Sequence, residues 1–454
     1  MKKIIFVLSL VLLLALSSVT AFAGEIIINI DSTKVDFNDE LGFPFIDENN
    51  RTQVPFRATL EKYGAQVDWD NENRVALATK DEIIVEVPID GNYILKNGEE
   101  IPVDTAARIV NGRTYLPIRA VIEAFGSGVE WDDALNTVVI TTEPLDAKAL
   151  YLAANEKSYA WDNYDIDAKI NMSMNIPDDA GSVQPFNMDM DMNMTIFMNP
   201  LKAKISASII IPGMEEVALQ PIVNMYMAID EEVLTQYMGM ADEDGELSWM
   251  KQTMAIEMLA DLMKNDEETI EKNKELIEKY TKDVKYFGKY TEDGKTLLRL
   301  QYTMSGDIYK EMFADFSDVM PEPATEEEAL AVEMLENLTT MDIGDLTYIV
   351  YIDEASGEMV KMEMDFGDMF ASLMSGMTEM SGMPPEAMEV FNSLKAVMTM
   401  EFLNINSAED FEIPEEALNA QEMSEMLEEL QELETDTEVE FDTELEVESE
   451  EEIR

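Results

Sequence analysis

The side chains of this chain that could do chemistry are carboxylates and thioethers. It carries 95 Asp and Glu against 31 Lys and Arg, with 35 Met, no His and no Cys. Without imidazole or thiolate, Ser-His-Asp hydrolysis, zinc proteolysis, thiol chemistry and an imidazole-held oxidase copper are all unavailable. A carboxylate pair alone can cleave a glycoside, but at this density acidic pairs occur at every spacing by chance and no dyad stands out. Asp68, Asp70 and Glu72 alternate as calcium ligands can, yet the stretch lacks the glycine and distal glutamate of an EF-hand loop. A solvated hairpin turn accounts for them. Thioethers select Cu(I), but these methionines alternate with Asp. No catalytic residue, metal site or cofactor is therefore expected. The net charge of -64 repels nucleic acid and anionic membrane.

The elements that position side chains are clearest in a stretch written twice. Arg51 to Ala78 (RTQVPFRATLEKYGAQVDWDNENRVALA) returns as Arg113 to Ile140 (RTYLPIRAVIEAFGSGVEWDDALNTVVI). Pro55, Arg57, Gly64, Trp69 and Asp70 map onto Pro117, Arg119, Gly126, Trp131 and Asp132, a duplicated structural unit. Each proline is expected at the first position of a short helix, where its missing N–H costs little. Phe56, Leu60 and Tyr63, or Ile118, Ile122 and Phe125, give helical spacing. Gly64 and Gly126 read as left-handed C-caps. A hairpin carrying Trp69 or Trp131 follows, so each unit is strand, helix, hairpin. Arg57 and Arg119 sit one turn into their helices. The structural expectation is a fold-fixing salt bridge to an acid of the next hairpin; the alternative is a ligand contact. The tryptophans read as core anchors.

The phrases GRTYLPIRA and GSGVEWD in the second copy carry a resemblance. Residues 26 to 142, in repeats of about 26 to 79 and 80 to 142, resemble the copper amine oxidase N-terminal-like domain of secreted Gram-positive proteins. In the oxidases this is a stalk without the copper and without the quinone. The resemblance implies a small α+β envelope module and no oxidase activity.

Residues 1 to 23 read as a secretory signal: Lys2 and Lys3, an apolar run, then Ala21 and Ala23 before Gly24. No later segment has the roughly 18 apolar residues of a spanning helix. The mature protein is expected to be exported and soluble, or held noncovalently at the cell envelope. A linker is expected at 143 to 154, with Leu145 to Tyr164 reading as a short helix running into a strand, and the domain at 155 to 418 turns to period two from Ile166. Ile166, Ala168, Ile170, Met172, Met174 and Ile176 share one face; Met188, Met190, Met192 and Met194 share a face of the next strand, and Met225 and Met227 of a later one. Helices are expected at about 250 to 281, 306 to 319 and 324 to 338, and a Met- and Gly-rich insert precedes the last strand. From 421 to 454 an acidic tail should stay extended by self-repulsion.

The fold expected is thus α+β: a tandem-repeat module followed by a large, curved antiparallel sheet with helices. MYMAIDEEVL, YIVYIDEASGEMVKMEMD and FEIPEEA in the second half resemble LolA/LppX-like secreted lipoprotein domains. The resemblance implies a half-barrel closed by helices around an apolar cavity. This chain lacks the lipidation cysteine usual there. Alternating Met is soft core filler, or the adaptable lining of a lipid-like ligand site. The function expected is noncatalytic binding of cell-wall material or of an apolar ligand. The alternative is a structural or adhesive surface protein with a filled core.

Overall fold

The computed structural model describes residues 25–143, 145–177, 183–210, 223–230, 233–241, 247–255, 267–311, 344–367, 390, 393–423 and 425. The segment expected as a secretory signal, the helix expected at 324 to 338, nearly all of the Met- and Gly-rich insert and the tail beyond Glu425 lie outside the described residues.

In the first part, strand Thr52–Pro55 pairs antiparallel with Arg113–Pro117. Val54 lies opposite Leu116, and Gln53 and Pro55 lie opposite Pro117 and Tyr115. Each of these strands occupies the same place in its repeat, so the ladder has a local twofold at Val54 and Leu116. The same twofold brings Tyr63 against Phe125, ring centroids 5.6 Å apart. Tyr63 Oη also hydrogen-bonds Ser127 Oγ at 2.7 Å. One core joins both copies, with Val54, Leu60, Leu116, Val121 and Ile122 at 0% exposure.

The prolines do not open the helices. Pro55 and Pro117 have ψ of 116° and 108°, and the helices run Phe56–Tyr63 and Ile118–Ala124. Each proline is the last rung of its ladder strand and stays extended, so the helix begins one residue later. Gly64 (φ 91°) caps the first helix in the left-handed region. After the second helix Phe125 is right-handed and Gly126 (φ 87°) makes the reversal. The first hairpin, Gln66–Asp70 with Val75–Lys80, joins a five-stranded sheet. The second, Gly128–Asp132 with Thr137–Thr141, takes Ile27–Ile30 as a parallel neighbour.

Asp47 staples this part together. Its carboxylate accepts from Thr105 Oγ1 (2.5 Å), Gln53 Nε2 (2.9 Å) and the N–H groups of Asn49 (2.9 Å) and Arg51 (3.0 Å). Burial pushes its pKa up, but these hydrogen bonds outweigh that and hold it at about 2, below its usual 3.8. A depressed carboxylate stabilises the fold above its unfolded pKa and loses that contribution as pH falls through the folded one. Stability of the wild type is therefore expected to drop between about pH 4 and pH 2 by more than that of Asp47→Asn, in urea titrations at each pH.

The second part is one twelve-stranded sheet, antiparallel except for a two-residue strand at one edge. The chain enters at its middle with Asn163–Pro177 and runs outward through five more strands to Leu247–Ala255. It crosses by helix Glu267–Tyr280 to the opposite edge, Thr281–Glu292. It then returns inward to Lys395–Leu403, which pairs with the entering strand. The return starts with a two-residue hairpin at Asp293 (φ 49°) and Gly294 (φ 77°), the left-handed pair a type I′ turn needs. On the polar face, Asn171 pairs with Asp189 and Asn193 with Asp167, both at 2.8 Å.

Residues 250 to 255 continue the strand Leu247–Ala255, next to the two-residue edge strand; the expected helix is found at Glu267–Tyr280. The short helix expected after residue 145 is Ala147–Ser158; it packs on the sheet through Tyr151 and Ala154, so residues 147 to 154 belong to the second part and not to a linker. Asp146 caps it by accepting from the Ala149 N–H at 2.9 Å.

Candidate functional site

Cross-strand partners share a face, so the register shows how far the methionine face extends. One row runs Leu300, Val350, Met362, Met400, Ala168, Met192, Ala207. The next runs Met364, Met398, Ile170, Met190, Ile209, and a third Phe402, Ile166, Met194, Ile205, Met225, Met238, Met250. Met227 lies opposite Ala203, which lies opposite Ile196, on the same face. All six methionines singled out from sequence therefore share one apolar face. They are not equally covered. Met188 is 1% exposed and packs with Met172, Met174, Leu394 and Ala396. Met190, Met192, Met194, Met225 and Met227 are only half-buried. At the far end of the same face, beneath helix Ala147–Ser158, Leu300 and Val350 are 0% and 1% exposed.

In the repeat module the anchors divide into two groups. Asp70 caps its own hairpin turn, accepting from the N–H groups of Glu72 (2.8 Å) and Asn73 (3.0 Å) and from Asn73 Nδ2 (2.7 Å). Asp132, its counterpart, is 2% exposed and accepts from Arg299 Nη1 of the large sheet, itself 4% exposed. Arg299 Nε donates to Tyr351 Oη at 3.1 Å, which in turn donates to Glu363 Oε1 at 3.1 Å. Burial, partly offset by Arg299, pushes the Tyr351 hydroxyl up to about 12, so it stays protonated. The Arg299 guanidinium lies 5.2 Å from the Phe287 ring centroid. Beside it, the Lys289 N–H donates to Ser32 Oγ at 2.7 Å. This junction ties the repeat module to the sheet face opposite helix Ala147–Ser158.

Arg57 and Arg119 do not make the expected bridge to a hairpin acid. Each pairs along its own helix, with Glu61 at 3.1 Å and Glu123 at 3.4 Å, and Arg119 also donates to the Val129 carbonyl. Exposed pairs of this kind contribute roughly 0–1 kcal/mol. The tryptophans are half-buried and pack against the edge of the module's core, not at its centre. Trp69 Nε1 donates to Asn71 Oδ1 at 3.5 Å and Trp131 Nε1 to Asp133. Trp131→Ala is therefore expected to cost about 1–2 kcal/mol, not the 3–5 kcal/mol of a central tryptophan, by urea unfolding. Both residues line clefts: about 640 Å³ beside Pro55, Arg57 and Trp69, and about 790 Å³ beside Pro117, Arg119 and Trp131.

Arg299 and Tyr351 carried no sequence signal. Their partner Asp132 is 167 positions from Arg299, and nothing in a duplicated turn marks which copy will be buried. Among the described residues no group of three acidic side chains converges as a metal site, and no helix is long and apolar enough to cross a membrane.

Residues 29–140 match the family model of the copper amine oxidase N-terminal domain, and residues 146–422 match that of a family of unknown function, DUF6612. Among solved structures the chain is similar to the lipoprotein LppX of Mycobacterium tuberculosis (10% identity, 59% of this chain and 100% of that chain, TM-score 0.29). It is also similar to LprF of Mycobacterium bovis (10% identity, 60% and 97%, TM-score 0.27). No curated protein matches the chain. The match over residues 146–422 takes in well over half of the sequence, and the chain belongs to the DUF6612 family.

Proposed function

We propose that the protein is an exported, noncatalytic envelope protein whose large sheet holds a lipid-like ligand against its methionine face, with the repeat module as its stalk. The observation behind this reading is the gradient along one apolar face. It passes from closed packing under helix Ala147–Ser158 to the half-buried Met190, Met192, Met194 and Met225. Unbranched thioethers repack around acyl chains at low cost, which suits a lining that must accept variable apolar shapes. A second reading, a structural surface protein with a filled core, draws on Met172, Met174 and Met188, which are packed to 5% exposure or less.

A fluorescent fatty acid titrated into the mature chain separates the two. The ligand reading expects saturable uptake, abolished by Met190→Asp with Met192→Asp while the melt stays cooperative. The filled-core reading expects no saturable uptake by the wild type.

A further inference from the structure

The two clefts of the repeat module are images of one another, and each is assembled from both repeats. The 640 Å³ cleft takes Arg57 and Trp69 from the first copy and Arg113 from the second. The 790 Å³ cleft takes Arg119 and Trp131 from the second copy and Arg51 from the first. Arg51, Arg57 and Trp69 correspond one for one to Arg113, Arg119 and Trp131 across the repeat. The antiparallel ladder centred on Val54 and Leu116 produces this exchange, because it lays the start of each copy beside the helix of the other.

Folding accounts for part of these contacts: Arg119 donates to the Val129 carbonyl, and one side of each indole packs on the core of the module. The Arg57 and Arg119 side chains are 61% and 51% exposed, and their acidic partners lie on their own helices in solvent. Such pairs hold little energy and exchange readily for a ligand. The indoles are half-buried with their N–H groups tethered, so each ring is a fixed part of a cleft wall.

We propose that the clefts are a matched pair of glycan-binding sites, independent of the lipid-like ligand of the sheet. A sugar ring offers an apolar C–H face and a rim of hydroxyls that both donate and accept. A fixed indole beside guanidinium and carboxylate or amide groups answers both needs. The larger cleft also carries Asp104, Glu130 and Asp133 with its two arginines. That mixture suits neutral hydroxyls and opposes a polyphosphate. Two equivalent sites on one folded core suit a polymer of repeating units, since linked sites bind such a chain far more tightly than either alone.

The test uses the mature full chain, a β-1,4-linked N-acetylglucosamine hexamer, and insoluble cell-wall glycan stripped of its anionic polymers. Calorimetry with the hexamer is expected to show two sites of similar affinity. Arg57→Gln or Arg119→Gln leaves one site and lowers retention on the insoluble glycan at least tenfold, and the double variant loses both. Both variants should keep a cooperative melt, Arg57→Gln at the wild-type temperature and Arg119→Gln lowered by no more than the loss of its bond to the Val129 carbonyl. Absence of saturable binding to either probe overturns the proposal. So does undiminished binding by the double variant, which places the glycan elsewhere. Binding only to unstripped wall assigns recognition to the anionic polymer and also overturns it.

Discussion

Asp132→Ala is expected to destabilise the protein by about 3–5 kcal/mol, and Arg299→Ala by a similar amount. Each removal leaves the other charge buried at 4% exposure or less. Tyr351 cannot compensate for a lost Asp132: its hydroxyl already accepts from Arg299 and donates to Glu363. Replacing both partners with apolar residues, Asp132→Leu with Arg299→Met, is expected to recover most of the loss, because the desolvation cost disappears with the charges. Asp70→Ala provides the internal comparison. It removes only a solvent-exposed turn cap and should cost about 1 kcal/mol. Urea unfolding of the four variants checks the set, and equal losses at Asp70 and Asp132 would refute the assignment.

The second large effect separates two methionines four positions apart. Met188→Asp places a carboxylate at 1% exposure among the apolar side chains of Met172, Met174, Leu394 and Ala396. A cost of about 4 kcal/mol or more is expected, enough to remove the cooperative melt of the sheet. Met192→Asp lies on the same strand and face but is half-buried, so water reaches the new carboxylate. It should melt within about 1–2 kcal/mol of the wild type and fail to take up the fluorescent fatty acid. Circular dichroism melts and ligand titration on both variants test this. A Met192→Asp protein that unfolds like Met188→Asp would place that methionine in a closed core.

Much of this architecture was legible because it follows from local periodicity. Alternation along Ile166 to Ile176 and Met188 to Met194 placed the strands and their shared face. The Asp293-Gly294 pair marked its hairpin, and the offset between copies marked the arginines and tryptophans of the paired clefts, though not Asp104 or the other lining residues outside the duplicated stretch. What was not legible depends on contacts distant in sequence. The helix start slipped by one because Pro55 is held extended by Tyr115 opposite it. Residues 250 to 255 lie in a strand because Val233–Ala241 pairs alongside them, despite a sequence that also permits a helix. Arg57 and Arg119 looked like bridge-formers because an acid follows in each hairpin, yet Glu61 and Glu123 are nearer along the helix. The role of Asp132 depends on Arg299, which no spacing rule connects to it.

The central claim is that acyl chains lie along the methionine face, and photochemical labelling tests it most directly. A fatty acid carrying a diazirine near its methyl end would be bound to the chain without residues 1 to 23, irradiated, and the adducts mapped by peptide mass spectrometry. The account predicts adducts concentrated in the peptides holding Met190, Met192, Met194, Met225 and Met227, suppressed by excess unlabelled fatty acid. Adducts confined to residues 25–143, or spread over the chain without competition, would contradict it.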